Sequence, residues 1–367
     1  MRTPAGKECS YFHGNYFRGR NEEHCRLLQA SEERWSRDLC GTCPVPAIQQ
    51  ANACEFMKLR ATVSRPISAL LQRRVQVSAF WAGITFLDTA EAYGNGESER
   101  IIARLLQEDR EHRAQIVIAT KFIPFPWKVA VGSALMTSLK ASLERLQMPF
   151  VHLYQIHGPI SLRSHAAMAE ALATVCRAGL VKAVGVSNYS EKEMRAIHAE
   201  LAQRGVALAT NQVEYSLLRT WPESTGLLRA CTELGVVLLA YSPLGMGRLT
   251  GKYTASNPPP GKRNFSAFPM AEIEPVVAEL RRIGERHGGK TPSQVALNWI
   301  ICKGAVPIPG AKNKAQAEQN AGALGWRLTP DEVRALDAVS KRGQRKLMHR
   351  VWQHGCRATA KSLSVAR

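Results

Sequence analysis

Acidic residues are scarce in this chain: 30 Asp and Glu stand against 49 Lys and Arg, leaving a formal charge of +19. Such an excess raises nucleic acid or an anionic surface as a partner. Its distribution argues against both, because much of it lies near the two ends, from Arg2 to Arg74 and in Lys341-Arg342-Gly343-Gln344-Arg345-Lys346. A basic patch interleaved with aromatics, as a nucleic-acid reader carries, is missing. Also missing is any stretch of about eighteen uninterrupted apolar residues, which excludes a spanning helix of ordinary length. The basic N-terminal region has no apolar core of a secretory signal, and Glu8, Glu22, Glu23, Glu32, Glu33 and Asp38 break the acid-poor pattern of an organelle transit peptide. Cysteines number nine, an odd total, and five of them (Cys9, Cys25, Cys40, Cys43 and Cys54) fall in the first sixty residues, which excludes a simple secreted disulfide framework. Cys40-Gly41-Thr42-Cys43 has the spacing of a redox or zinc motif, but no second pair accompanies it, so no metal site is expected.

What is present is a regular alternation. Strand-like apolar runs at 84–88, 116–120, 151–156, 181–186, 208–212, 236–241 and 305–309 alternate with segments of 3.6-residue period. Continuous apolar strands such as Val236-Val237-Leu238-Leu239-Ala240-Tyr241 suit a parallel sheet buried on both faces, with helices as right-handed crossovers. Repeated βα units of this length predict an α/β fold, a (β/α)8 TIM barrel. Seven strands are legible. The first is missing or is supplied by a poorly patterned piece of the N-terminal region around Ala61-Thr62-Val63-Ser64. Helix starts are well signalled, most clearly at Thr291-Pro292-Ser293-Gln294, where the Thr hydroxyl can cap, Pro fits the first turn and Gln294 can reach back. Residues 1–78 and 342–367 carry no sustained period, so the expected division is an atypical N-terminal extension (1–78), a barrel (79–341) and a basic C-terminal tail (342–367).

Three of the apolar runs end on a polar residue of chemical use: Asp88, Lys121 and His157, with Tyr93 five residues after Asp88. In a (β/α)8 barrel the reacting groups sit where the strands stop, so these four read as one site. A tyrosine with a pKa near ~10 donates its proton poorly at neutral pH unless a cation favours the ionised form. Lys121 is placed to be that cation, Asp88 to hold Lys121, and His157 to donate a hydrogen bond to a carbonyl oxygen aimed at the Tyr93 hydroxyl. Taken singly, each residue has a plainer explanation, as a cap, a packed ring, a solvated lysine or a satisfied imidazole. Their arrival at successive strand ends favours carbonyl reduction.

Over roughly residues 80–340 the sequence resembles the aldo-keto reductases. The motifs that carry the resemblance are Gly83-Ile84-Thr85-Phe86-Leu87-Asp88-Thr89-Ala90-Glu91-Ala92-Tyr93-Gly94, Ala119-Thr120-Lys121, Gln155-Ile156-His157, Gly185-Val186-Ser187-Asn188, Asn211-Gln212, Tyr241-Ser242-Pro243-Leu244 and Ile308-Pro309-Gly310-Ala311-Lys312. The resemblance implies a catalytic tetrad of Asp88, Tyr93, Lys121 and His157. It implies NADP(H) as cofactor, with Ser187, Asn188 and Gln212 on the nicotinamide carboxamide, Tyr241 stacked on its ring, and Ser242 and Leu244 in the same strand-end loop. Gly310, Ala311 and Lys312 would approach the 2′-phosphate, with Gln316 and Asn320 toward the adenosine. Many members carry a lysine in the Gly310 position and an arginine in the Gln316 position, so Lys312 becomes the principal phosphate partner here. The Pro-Gly-Ala-Lys-Asn wording and the segment Ala321-Gly322-Ala323-Leu324-Gly325-Trp326 look most like a branch found in plants and photosynthetic microbes.

The resulting expectation is a monomeric, NADPH-dependent reductase of an aldehyde or ketone, in chloroplast or cytoplasm, with Tyr93 as general acid. Substrate choice is expected in the loops after the strands, including 122–127 and 246–268, where Phe125, Trp127 and Trp221 are candidate pocket aromatics. Two alternatives accompany it: an NADP-binding regulatory subunit like the β subunits of potassium channels, and an inactive product whose barrel lacks its first strand.

Overall fold

A computed structural model describes residues 12–15, 22–25, 61–62, 84–108, 113–259, 268–311 and 313–343. Two short strands, β1 (Phe12–Asn15) and β2 (Glu22–Cys25), pair antiparallel by themselves. The main sheet has eight parallel strands in sequential order: β3 (Ala61–Thr62), β4 (Phe86–Asp88), β5 (Val117–Phe122), β6 (Val151–Ile156), β7 (Val181–Ser187), β8 (Leu208–Glu214), β9 (Val237–Tyr241) and β10 (Val306–Ile308). All seven strands legible in the sequence are present within a residue or two. The eighth is the poorly patterned piece: Ala61 pairs with Leu87 and Thr62 with Asp88, so a first strand of two residues lies beside β4.

Two apolar layers explain why these runs form strands. Phe86, Val117, Ala119, Leu153, Ala183, Ala209, Val237, Leu239 and Ile308 form one buried cluster inside the barrel. Alternate positions such as Leu87, Ile118, Tyr154, Val184 and Leu238 belong to the larger cluster between sheet and helices. A parallel sheet covered on both faces needs apolar side chains at every position, which is why the runs read as continuous.

Helices alternate with the strands: α1 (Glu97–Glu108), α2 (Val131–Leu146), α3 (His165–Arg177), α4 (Glu191–Ala202), α5 (Trp221–Ser224), α6 (Leu227–Leu234), α7 (Met270–Arg286), α8 (Pro292–Cys302), α9 (Lys314–Ala321) and α10 (Pro330–Val339). In α2 the buried residues Val131, Leu135, Leu139, Ser142, Leu143 and Leu146 recur at helical spacing on one face. The cap foreseen at Thr291 is there. Its hydroxyl accepts from the Gln294 N–H (3.4 Å) while Gln294 Oε1 accepts from the Thr291 N–H (2.9 Å). Ser190 with Glu193 and Thr329 with Glu332 make the same reciprocal cap. Beyond α10 the chain returns to the barrel mouth, where Lys341 donates its N–H to the Leu217 carbonyl (2.7 Å) and accepts from the Thr220 N–H (3.2 Å). None of the described helices is long and apolar enough to cross a membrane.

Candidate active site

The alternation of side chains along the strands brings the polar ends together. Phe86 and Asp88 point inward on β4, Ala119 and Lys121 on β5, Leu153 and Gln155 on β6, so an apolar floor gives way to polar groups at the C-terminal rim. Lys121 is fully buried. Its Nζ donates to Asp88 Oδ2 at 2.5 Å and to the Thr89 carbonyl at 2.8 Å. The same ammonium lies 5.1 Å from the centre of the Tyr93 ring. Tyr93 in turn meets His157 edge to face, with ring centres 5.8 Å apart. All four residues singled out in the sequence therefore share one cluster.

Their electrostatics differ in one respect from expectation. Burial raises the Tyr93 pKa, and the pull of the Lys121 charge toward the tyrosinate does not offset that burial, to which Asp88 adds. Tyr93 thus holds its proton above the ordinary tyrosine range. Burial opposes the charge on Lys121, but Asp88 and then Tyr93 outweigh it and keep the ammonium charged to higher pH than a free lysine. His157 is pushed down to about 3, by burial first and by the Lys121 charge second, so at neutral pH it is an uncharged imidazole.

Around this cluster the strand ends present amides, a hydroxyl and a phenol. Ser187 Oγ donates to the Gln212 carbonyl at 2.8 Å, and Asn188 Nδ2 donates to Ser187 Oγ at 3.1 Å and to the His157 carbonyl at 3.2 Å. Tyr241 donates its hydroxyl to Asn188 Oδ1 at 2.9 Å. Gln212 Nε2 donates to Asp88 Oδ1 at 2.9 Å, a bond that ties the amide group directly to the tetrad. Backbone strain gathers here as well, with φ positive at Asn188 (64°), Ser242 (53°) and Met246 (56°). Side-chain-bearing residues hold that conformation where surrounding structure over-determines it, commonly at ligand sites. By its chemistry this set of donors and acceptors, beside an aromatic ring, fits a planar carboxamide-bearing cofactor.

The segment after β10 is arranged differently from a row of free ligands. Gly310 is exposed and Ala311 is buried against Ile84 and Ala317. Asn320 is buried and its Nδ2 donates to the Gly310 carbonyl at 3.4 Å, shaping the turn. Gln316 is exposed and its N–H is capped by Asn313 Oδ1 at 3.0 Å. Leu244 packs at the edge of the core. Lys312, the expected phosphate partner, lies outside the described residues. In the loop after β5, Phe125 and Trp127 stack with centres 4.4 Å apart, and Trp127 is 71% exposed. Trp221 is a correction: as part of the buried core at the start of α5, it is not available to a pocket. The loop expected over 246–268 is described only to residue 259 and from 268 onward.

Sequence reading missed three supporting residues. Gln155 Nε2 donates to Asp88 Oδ1 at 3.3 Å, and Thr210 Oγ1 donates to Gln155 Oε1 at 3.2 Å. Glu91 Oε1 accepts from the Ile123 N–H at 2.8 Å, joining the Tyr93 loop to the end of β5. Gln155 had a signal: it stands two residues before His157, on the inward face.

Comparison with known proteins fits this geometry. A model of the aldo/keto reductase family matches residues 62–341. The chain belongs to the aldo/keto reductase family. Among curated relatives, the chloroplastic pyridoxal reductase of Arabidopsis thaliana is 40% identical over 284 residues, covering 74% of this chain and 77% of that one. The L-glyceraldehyde 3-phosphate reductase of Escherichia coli strain K12 is 31% identical over 271 residues, covering 69% and 78%. Among solved structures, a thermostable aldo-keto reductase in complex with the inhibitor epalrestat superposes with a TM-score of 0.62 at 26% identity, covering 77% of this chain and 94% of that one. A Bombyx mori aldo-keto reductase in complex with NADP has a TM-score of 0.64 at 22% identity, covering 80% and 92%, and this likeness bears on the fold. The family match begins at Thr62, the second residue of β3.

Proposed function

We propose that this aldo/keto reductase is an NADPH-dependent reductase of a small aldehyde or ketone, with Tyr93 as the proton donor. The observation that carries the reading is the contact of one buried ion pair, Asp88 with Lys121, with Tyr93 at the rim of the barrel. When bound, NADPH supplies the hydride, and the protein supplies orientation and charge. Ser187, Asn188 and Gln212 would hold the carboxamide, and Tyr241 would lie against the ring. Gly310, Ala311, Lys312, Gln316 and Asn320 would face the adenosine end. Neutral His157 donates a hydrogen bond to the substrate oxygen and sets its direction. Tyr93, protonated at neutral pH, delivers its proton to that oxygen as negative charge develops there. Lys121 favours this transfer because the tyrosinate left behind sits beside an ammonium that Asp88 keeps charged and in place.

The names of the relatives suggest a first carbonyl panel of pyridoxal and phosphorylated short aldehydes, and the chloroplastic relative suggests a plastid compartment. The stacked Phe125 and exposed Trp127 support an aromatic aldehyde within that panel. The decisive experiment pairs NADPH fluorescence titration with turnover of the panel for wild type and Tyr93→Phe. Removing the hydroxyl should lower kcat by at least about a hundredfold, the usual scale of general acid catalysis, while the NADPH Kd stays within a factor of about two. Turnover retained in the variant would overturn the assignment of the donor.

A further inference from the structure

Asp88 uses its two carboxylate oxygens for different tasks. Oδ2 takes the Lys121 ammonium, whereas Oδ1 takes two amide donors, Gln212 Nε2 at 2.9 Å and Gln155 Nε2 at 3.3 Å. The two amides are not equivalent. Gln212 belongs to the group assigned above to a cofactor's carboxamide, so its bond to Asp88 competes with that duty. Gln155 has no such second duty: fully buried, it is fixed at its other end by the Thr210 hydroxyl at 3.2 Å. Room for this chain of bonds depends on Gly185, where a Cβ would fall 2.1 Å from Thr210 Oγ1 and 3.1 Å from Gln155 Cγ. Glycine inside a strand commonly marks such a close approach.

We infer that Gln155, braced by Thr210 across Gly185, is a positioning residue for the tetrad that fixes the Asp88 carboxylate independently of Gln212. The inference rests on the reading of the site as a carbonyl reductase. Its physical content is that Oδ1 keeps one amide donor when the other is drawn away, so Oδ2 stays aimed at Lys121. The amide donors also spread the carboxylate's charge, and Asp88 is one of the groups that raise the Tyr93 pKa. Losing a donor sharpens that negative field and makes Tyr93 a weaker acid. Among the described residues, the titratable groups facing Tyr93 are Asp88 on β4, Lys121 on β5 and His157 after β6, with Glu91 on its own loop held by the Ile123 N–H. Of these groups Gln155 hydrogen-bonds to Asp88 alone.

The test uses the full-length protein and two variants: Gln155→Met, which keeps length without donor or acceptor, and Thr210→Val. Gln155→Met should lower kcat about tenfold or more, as small misplacements of catalytic groups do. The carbonyl KM and the NADPH Kd from fluorescence titration should stay within about twofold, and the alkaline limb of the kcat profile should move to higher pH. Thr210→Val should act in the same direction with smaller size, and should add nothing when combined with Gln155→Met. Wild-type kcat with an unmoved limb overturns the inference, as does a loss of NADPH affinity that parallels the loss of kcat. Should Gln155→Met fail to fold cooperatively, Thr210→Val alone decides, since it keeps side-chain shape. Wild-type kcat in Gln155→Met beside an inactive Tyr93→Phe defeats this inference only; activity in Tyr93→Phe defeats the functional reading itself.

Discussion

His157, half-buried at the end of β6, connects its proposed catalytic role to acid stability. Its pKa, near 6.5 when exposed, is about 3 in the folded protein because burial and then the Lys121 charge oppose protonation. Between those two values the unfolded chain binds a proton that the folded chain refuses, so stability is intact above pH 6.5 and declines as pH falls toward 3. The slope contributed by this residue is up to about 1.4 kcal/mol per pH unit. His157→Gln removes it. Thermal denaturation measured from pH 7 to pH 4 should therefore show a shallower loss of stability in the variant than in wild type. Parallel curves would mean that the imidazole accepts a proton in the folded state. The same low pKa fits the proposed role, because a neutral imidazole can orient a carbonyl without placing a competing cation beside Lys121.

The elements that carry these groups are tied together by polar links as well as by apolar packing. Glu99 on α1 is fully buried, accepting from Thr120 Oγ1 on β5 at 2.5 Å and from Arg145 Nε on α2 at 2.6 Å. One carboxylate thus joins three elements directly behind Lys121, which follows Thr120 in the chain. Removing one partner of a buried pair leaves an uncompensated charge, which costs about 3–5 kcal/mol when fully buried. Arg145 is partly exposed, so Arg145→Met should cost less, about 2–3 kcal/mol. Chemical denaturation with its slope unchanged is the appropriate measurement, and a loss below about 0.5 kcal/mol would show that Thr120 alone satisfies Glu99. Elements such as β5 and the Thr291 cap were legible in the sequence because apolar continuity and cap chemistry are local. The Glu99 link was not, since its partners lie 21 and 46 residues away. The site divides in the same manner. Asp88, Lys121 and His157 announce themselves as polar ends of apolar strands, and Gln155 shares the inward face with His157, but its bond to Thr210 exists only because β6 and β8 bring the two within hydrogen-bonding distance.

At the scale of the whole molecule the question is what closes the barrel beside Asp88. A strand of two residues has no periodicity to read, which is why β3 could be only loosely located in the sequence. Its register shows its importance: Thr62 pairs with Asp88 itself, so β3 covers the edge of the strand that carries the tetrad's carboxylate. An uncovered parallel edge beside a buried ion pair would admit water to it and invite pairing with other chains. At the opposite end of the chain, Lys341 closes hydrogen bonds to Leu217 and Thr220, while Gly343 lies where a Cβ would come within 2.9 Å of the Leu218 carbonyl. The proposed functional unit therefore runs from just before Ala61 to Gly343, with the remaining residues at both ends as extensions to it. Two truncations test this division. A chain of residues 58–343 should unfold in one cooperative transition and bind NADPH within about threefold of full length. A chain of residues 66–343 lacks β3 and should lose both properties, or recover solubility only by self-association. Binding by the shorter chain equal to that of the longer one would show that the seven longer strands hold the site without β3. The tetrad would then depend on the polar links behind it rather than on closure of the sheet.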